Sequence, residues 1–255
     1  MRTTDRAFGL DAGTIVAVST AICLASRHAL VMDVVVALVL GLRCALWLAL
    51  PRAQRSAAWL ELLLFALCLG VGAFNDWNSV TRRRVYDYAV PLEAPALSLV
   101  PLWMLLYWGM IVRFMISLLT WSRLGLEARR PRAATLAALL VLVAVTRQTI
   151  YRLYQDPLWS WLPFLAALAL ALVVLRPDRR RLALLGATLL LGPAVEALYI
   201  QVGHLHVYRL GWLGGVPVWI ALWWVLAVLV LDALLGALAL RLQPEPGRAV
   251  QQPLR

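Results

Sequence analysis

The sequence predicts an all-α fold, a polytopic transmembrane helix bundle of about eight helices arranged as two tandem four-helix repeats. Of the 255 residues, 63% are hydrophobic and 15% are charged, and the mean hydropathy is +0.80. Soluble domains are about 45–50% apolar and about 25% charged. The charges lie in short clusters between long apolar runs, as in membrane proteins with several helices. In addition, a Pro-x-Trp motif occurs twice in similar surroundings.

Eight apolar segments follow one another along the chain. A helix needs about 20 apolar residues to cross a bilayer, with about 17 as a practical minimum. The first and fifth segments are uncharged only over residues 12–26 and 133–146. We therefore expect these two to be marginal spans, either short or re-entrant. The segments cover residues 12–26, 29–50, 57–75, 95–120, 133–147, 158–175, 181–203 and 213–240.

Arginines set the predicted topology. All 24 basic residues are arginine, and most lie in predicted loops. The net charge of +11 is therefore better explained by membrane orientation than by nucleic acid binding, and we expect no nucleic acid partner. With eight spans and the N-terminus inside, fifteen loop arginines face the cytoplasm and seven face the opposite side. We expect a multi-pass protein of the bacterial inner membrane, surrounded by lipid, with both termini cytoplasmic. The sequence leaves the oligomeric state open.

An internal repeat is the most informative feature of the sequence. The octapeptide that begins at Pro101 aligns with the one that begins at Pro217, with identical Pro, Trp, Leu and Trp positions. An acidic residue also precedes a tyrosine by twelve positions in each part: Asp76 before Tyr88, and Glu196 before Tyr208. Chance similarity between segments rich in Leu, Ala and Trp is the alternative.

The repeat predicts the domain organisation. Residues 1–121 and 133–241 form two four-helix halves, residues 122–132 a cytoplasmic linker, and residues 242–255 a disordered tail. An even number of helices in each half keeps both halves in the same orientation. The pseudo-twofold axis then runs along the membrane normal.

The tryptophans after the repeated prolines allow two interpretations. At the membrane surface they would form an aromatic belt. Alternatively some of them, with Trp103 and Trp219 as candidates, face inward and stack on a flat or cationic ligand.

Ionisable residues inside apolar segments are costly, so each indicates a role. Glu61, Arg113 and Asp232 fall toward the cytoplasmic side of their segments. We expect Arg113 and Asp232 to form a buried pair that ties the two halves together, with a structural rather than a catalytic role.

A second polar group gathers near the opposite membrane face. If the halves pack around a common axis, Asp76 and Glu196 face each other there. A shielded carboxyl group beside a more exposed one suits general acid–base catalysis, so these two are the candidate catalytic residues. Alternatively, the group only satisfies the ends of loops. The candidate substrate-binding residues around them are Tyr88, Tyr208, His204, His206, Asn75, Asn78, Trp103 and Trp219.

We expect neither a metal nor another cofactor. His204 and His206 invite a metal site, but His-x-His needs further ligands, such as Glu196 or Asp76, to complete it. The sequence contains no Gly-rich phosphate loop, nucleophile elbow or Cys-x-x-Cys motif. The three cysteines lie in apolar runs without metal-site spacing.

The stretch from Glu196 to Trp223 resembles a family of carotenoid-biosynthesis membrane proteins that includes bisanhydrobacterioruberin hydratase. The similar residues are Glu196 seven positions before Gly203, then Tyr208, then Gly215-Val216-Pro217 and Leu222-Trp223. The Phe-Gly of that family's pattern is replaced by Leu205-His206. The resemblance implies hydration of a polyene, in which Glu196 protonates a double bond. Asp76 or a tyrosine then positions the water, and tryptophans line the channel.

Two hypotheses follow for the function. The first is an integral membrane enzyme, a lyase or isomerase, which acts on a hydrophobic small molecule such as an isoprenoid or carotenoid-like lipid by acid–base chemistry. The alternative is a small membrane transporter, or a lipid-binding or accessory protein.

Overall fold

The fold is a bundle of α-helices closed at one end by a small sheet. This computed structural model describes residues 3–51, 55, 57–127 and 131–241, with side chains as far as residue 237. Strand β1 (Tyr86–Tyr88) follows α3, which continues through a π-helical turn, and strand β2 (His206–Tyr208) follows α7. The helices are α1 Asp5–Leu24, α2 Ala29–Ala49, α3 Ala58–Trp77, α4 Leu102–Thr120, α5 Ala133–Leu153, α6 Leu162–Leu175, α7 Arg179–Gln201 and α8 Val218–Arg241.

The predicted transmembrane helix bundle is confirmed, since seven of the described helices are long and apolar enough to cross a membrane. The prediction that the first and fifth segments are marginal is wrong. Helices α1 and α5 have 20 and 21 residues, because Asp11 and Arg147 lie inside them and find buried partners. The short helix is α6, whose 14 residues span only about 21 Å. It begins beside Pro163 and ends at Arg176, which has a left-handed backbone.

The packing of α1–α4 recurs in α5–α8. Helix α4 packs on α1, α2 and α3, and α8 packs on α5, α6 and α7. Helix α1 also packs on α2, as α5 does on α6, and the two central helices α4 and α8 touch each other. These contacts divide the described helices where the repeat predicted two halves. The predicted tail, residues 242–255, and residues 128–130 of the predicted linker lie outside the described residues.

The sheet joins the two halves symmetrically. Strands β1 and β2 are antiparallel, and their register pairs Tyr86 with Tyr208, Asp87 with Val207 and Tyr88 with His206. Repeat-equivalent residues are 120 positions apart here, as Asp76 and Glu196 are. The first and last pairs therefore exchange under a twofold rotation, and the middle pair maps onto itself. This register is the one that a pseudo-twofold axis through the middle pair requires.

Four charges from four helices meet at the other end of the first half. Asp11 of α1, Arg43 of α2, Glu61 of α3 and Arg113 of α4 are each at most 4% exposed. Arg43 Nη2 lies 2.7 Å from both Asp11 Oδ1 and Glu61 Oε1, and Arg113 Nε lies 3.0 Å from Glu61 Oε1. We call this neutral group the tetrad. Because the charges balance and are hydrogen-bonded, their cost inside the membrane is offset.

The predicted pair between Arg113 and Asp232 does not form. Arg113 instead bonds Glu61 within the first half, and Asp232 Oδ2 accepts from Arg181 Nε at 2.7 Å within the second half. The physical reason is local neutralisation. Arg43, inside an apparently uniform apolar segment, completes the tetrad, so Arg113 needs no partner from the other half.

Replacing Arg43 by Met tests the tetrad. The substitution keeps much of the side-chain volume but leaves Asp11 and Glu61 without one of their two cations. We expect the free energy of unfolding to fall by about 3–5 kcal/mol, the usual cost of removing one partner of a buried ion pair. Thermal unfolding in detergent measures this. Arg152→Met removes an exposed arginine of α5 and is the matched control. Equal midpoints for the two variants would contradict a structural role of the tetrad.

Candidate functional site

The two repeat-related carboxylates, Asp76 and Glu196, lie behind the sheet. Asp76 already accepts hydrogen bonds from three protein donors. Asp76, near the end of α3, has no exposed surface. It accepts hydrogen bonds from the hydroxyl groups of Tyr86 and Tyr88, the latter at 2.8 Å, and from Trp108 Nε1 at 2.9 Å. Burial, followed by the nearby Asp76, raises the pKa of Tyr88 well above its ordinary value, so that hydroxyl stays a donor. Asp76 therefore anchors β1 to α3 and α4.

The second carboxylate, Glu196 of α7, is much less engaged. Its Oε2 lies 3.1 Å from His206 Nε2, but the angles at this contact do not make a hydrogen bond. Trp224, the repeat equivalent of Trp108, does not donate to Glu196. Among the described residues, five buried side-chain atoms have no hydrogen-bond partner: Trp224 Nε1, His206 Nε2, Trp103 Nε1, Arg147 Nη1 and Asp33 Oδ1. The Glu196 side therefore offers a carboxylate, an indole N–H and an imidazole nitrogen.

A small cavity lies beside Glu196 between the two halves. Its volume is about 40 Å³, room for one to a few water molecules or a small polar group. Glu196, Met104 and Ile111, which line it, are themselves only partly buried. Its walls are Ile22, Tyr86, Tyr88, Trp103, Met104, Trp108, Ile111, Glu196, Tyr199, Leu205, His206, Tyr208 and Trp224.

Several predicted site residues do meet here. Glu196, Tyr88, Tyr208, His206 and Trp103 line the cavity, and Asp76 bonds Tyr88 at its edge. Burial, followed by the charge of Glu196, raises the pKa of the Tyr208 phenol well above its ordinary range. This phenol therefore also stays protonated.

Three other predicted residues lie on the opposite side of the axis, around Arg147. Asn75 Oδ1 accepts from Arg147 Nε at 3.0 Å, and the ring of Trp219 lies 5.6 Å from the guanidinium carbon. Asn78 donates to the hydroxyl of Tyr151 at 2.9 Å. These side chains contact protein groups and not the cavity.

His204, another predicted site residue, does not line the cavity. Its backbone is left-handed, with φ of 49°, where the chain turns from α7 into β2, and its side chain is exposed. Of the two histidines, only His206, the first residue of β2, points inward. Among the described residues, no three His, Cys, Asp or Glu side chains cluster as metal ligands would.

Sequence reasoning missed Trp108, which donates to Asp76, and its repeat equivalent Trp224, which lines the cavity with Glu196. A glycine stands four residues before each acid, Gly72 before Asp76 and Gly192 before Glu196. A Cβ atom at Gly72 would lie 2.8 Å from Trp108 Cβ, and one at Gly192 would lie 3.2 Å from the Trp224 ring. The repeated Gly-x-x-x-acid pattern, which brings an indole beside each acid, is the signal that could have located them.

Comparisons with known proteins point to a membrane protein of a different kind from the predicted enzyme. No protein-family model and no curated protein sequence matches the chain. Two crystal structures of MvINS, a mycobacterial Insig homolog from Mycobacterium vanbaalenii, are similar to it, with TM-scores of 0.56 and 0.55. At 26% identity, the similarity covers 72% of this chain and 96% of MvINS. One of the two structures is of a cross-linked MvINS trimer.

This similarity corrects the functional prediction. The expectation of an enzyme that modifies an isoprenoid or carotenoid-like lipid is wrong, because the similar structures are of an Insig homolog. The geometry of Asp76 agrees with the correction, since three protein donors already occupy the carboxylate that was expected to position water. The alternative, a lipid-binding or accessory membrane protein, is favoured. The resemblance of residues 196–223 to the carotenoid family is not tested by these comparisons and stays a prediction.

Two isosteric substitutions test the difference between the carboxylates. In Asp76→Asn, an amide NH₂ group faces hydrogen-bond donors, and we expect a loss of about 1–3 kcal/mol in the free energy of unfolding. In Glu196→Gln, no bonded donor loses its acceptor, so we expect a loss of less than about 1 kcal/mol. Thermal unfolding of both variants in the same detergent provides the comparison. A larger loss for Glu196→Gln than for Asp76→Asn would contradict these roles.

Proposed function

We propose that this chain is a lipid-binding accessory protein of the membrane. The observation that carries the proposal is the similarity to the Insig homolog MvINS, which covers 96% of that protein at 26% identity. The cavity beside Glu196 supports it, because unpaired polar groups at an opening between two membrane helices can receive the polar end of a lipid.

We infer the position of the lipid from the chemistry of the cavity lining. Its polar end occupies the space beside Glu196, His206 and Trp224, and its chains stay outside, along α4 and α7. Met104 and Ile111 form an apolar rim between these regions. A cavity of about 40 Å³ accommodates a polar group but not an acyl chain.

We also infer the orientation of the protein in its membrane, a bacterial inner membrane. Arg123 pairs with Asp5, and Arg180 donates to the carbonyl of Gly125, so the start of α1, the end of α4 and the start of α7 share one end. This end carries more of the loop arginines than the sheet end, so it faces the cytoplasm. The sheet then lies on the opposite side.

Filling the cavity tests lipid binding. Ile111→Phe adds bulk to the cavity rim, whereas Leu198→Phe adds it on the outward face of α7, where Leu198 is 56% exposed. Overpacking costs about 1–3 kcal/mol, so we expect about tenfold less lipid retained by Ile111→Phe. Native mass spectrometry after exchange into a delipidating detergent counts lipids per chain. Equal retention by wild type and both variants would contradict a lipid site in this cavity.

Cysteine labelling tests the orientation. In a variant whose three cysteines are replaced by Ser, His204→Cys reports on the sheet end and Arg179→Cys on the other end, and both positions are exposed. We expect a membrane-impermeant maleimide to label His204→Cys in intact spheroplasts and to label Arg179→Cys only after lysis. The reverse pattern would contradict the proposed orientation.

A further inference from the structure

The outward face of α5 combines apolar and polar side chains in a fixed order. Near the middle of the helix the face is apolar, with Val141 62% and Val145 56% exposed. Gln148 and Arg152 follow on the same face, one and two turns nearer the sheet end, and both are exposed. A groove of about 470 Å³ lies along this part of the helix. It is lined by Ala144, Val145, Gln148, Thr149, Arg152 and Leu153.

Gln148 is an unusual residue for a surface that faces lipid. Its amide has no hydrogen-bond partner among the described residues. It stands five residues before Leu153, the last residue of α5, and so about 7.5 Å from the helix end. A polar group at this depth costs free energy unless it is hydrogen-bonded. Hydrocarbon chains offer no acceptor, whereas the ester carbonyl groups of a phospholipid do.

Two arginines lie at the sheet end of the groove. Arg152 is in the last turn of α5. The guanidinium carbon of Arg83 lies 5.4 Å from the centre of the ring of Tyr151, which precedes Arg152 in the chain. Neither arginine has an ion pair within the described part of the chain. Asp156, the next acid along the chain, already accepts from two backbone N–H groups of its own loop. This corner therefore carries two positive charges that no carboxylate neutralises.

The equivalent face of α1 lacks these groups. Helices α1 and α5 begin 128 positions apart, which makes Thr20 equivalent to Gln148 and Leu24 equivalent to Arg152. Thr20 and Leu24 are exposed as well, but neither is charged. Because the packing of the helices recurs in both halves, the fold of a half does not require the amide and the guanidinium on this face. Their presence on α5 alone indicates a ligand.

The order of groups along the face is complementary to an acidic phospholipid. The two arginines suit a headgroup with a net negative charge. Gln148 lies four residues, or about 6 Å, deeper than Arg152, a distance comparable with the headgroup region of one leaflet, about 5–8 Å. Val145 and Val141 lie deeper still and suit an acyl chain. A soluble anion would match the arginines but leave the amide and the apolar part without a partner.

We propose that this face of α5 binds an acidic phospholipid in the leaflet at the sheet end. The phosphate lies between Arg83 and Arg152, the Gln148 amide donates to an ester carbonyl, and an acyl chain lies along Val145 and Val141. The site is separate from the cavity beside Glu196, since no residue lines both. It therefore adds a second lipid of a defined class to the one in the proposed function.

Matched lipids and matched variants test the proposal. Delipidated full-length protein in detergent is titrated separately with dioleoyl phosphatidylglycerol and dioleoyl phosphatidylcholine, and native mass spectrometry counts the bound lipids. Arg152→Gln removes one cation of the site. Arg27→Gln removes an exposed arginine between α1 and α2, outside the groove, and is the matched control. We expect wild type and Arg27→Gln to retain about fivefold more phosphatidylglycerol than Arg152→Gln, the change expected for one arginine near anionic headgroups.

A second variant tests the amide. Gln148→Leu should lower the retention of both lipids about threefold, because both carry the ester carbonyl that the amide binds. Ile111→Phe, at the cavity beside Glu196, should keep the excess of phosphatidylglycerol over phosphatidylcholine, so the two lipid sites fail independently. Equal retention of phosphatidylglycerol by Arg152→Gln and Arg27→Gln would overturn the proposal. Equal retention of the two lipids by wild type would overturn it as well.

Discussion

Neutralisation of charge inside the membrane is the constraint on which the bundle depends. The tetrad joins the four helices of the first half in a ring, in which each of the two cations pairs with both anions. In the second half, an arginine stands where the first half has an acid. Arg181 lies 120 positions after Glu61, and it pairs with Asp232 of α8. At this end of the bundle, each half therefore pairs its buried charges within itself.

The interface between the halves shows how duplication produced a site. Asp76 and Glu196 occupy equivalent positions, each with a glycine four residues earlier and an indole packed against it. Asp76 is saturated by three donors, and Arg147 fills the space beside it. Around Glu196 the equivalent bonds are absent among the described residues, and a cavity takes their place. One copy of the motif is thus enclosed by the protein's own donors, whereas the other lies beside a cavity.

The same asymmetry explains why paired carboxylates gave a misleading functional prediction. Two acids near one membrane face are compatible with acid–base catalysis, but that chemistry needs both to reach the substrate. Here Asp76 is enclosed by Tyr86, Tyr88 and Trp108. The cavity lies beside Glu196 instead, whose carboxylate accepts no hydrogen bond among the described residues.

The sequence by itself determined the helical membrane class, the number of helices and the repeat, because hydropathy and motif spacing are local properties of the chain. It also brought Asp76, Glu196, Tyr88 and Tyr208 to one region. Only the tertiary structure decided that α6 is the short helix, that Arg113 pairs with Glu61, and that Arg147 of α5 bonds Ser79 while Ser19 of α1 bonds Tyr199. Those outcomes depend on which helix faces meet and on the side-chain volumes between them, which spacing along the chain does not specify.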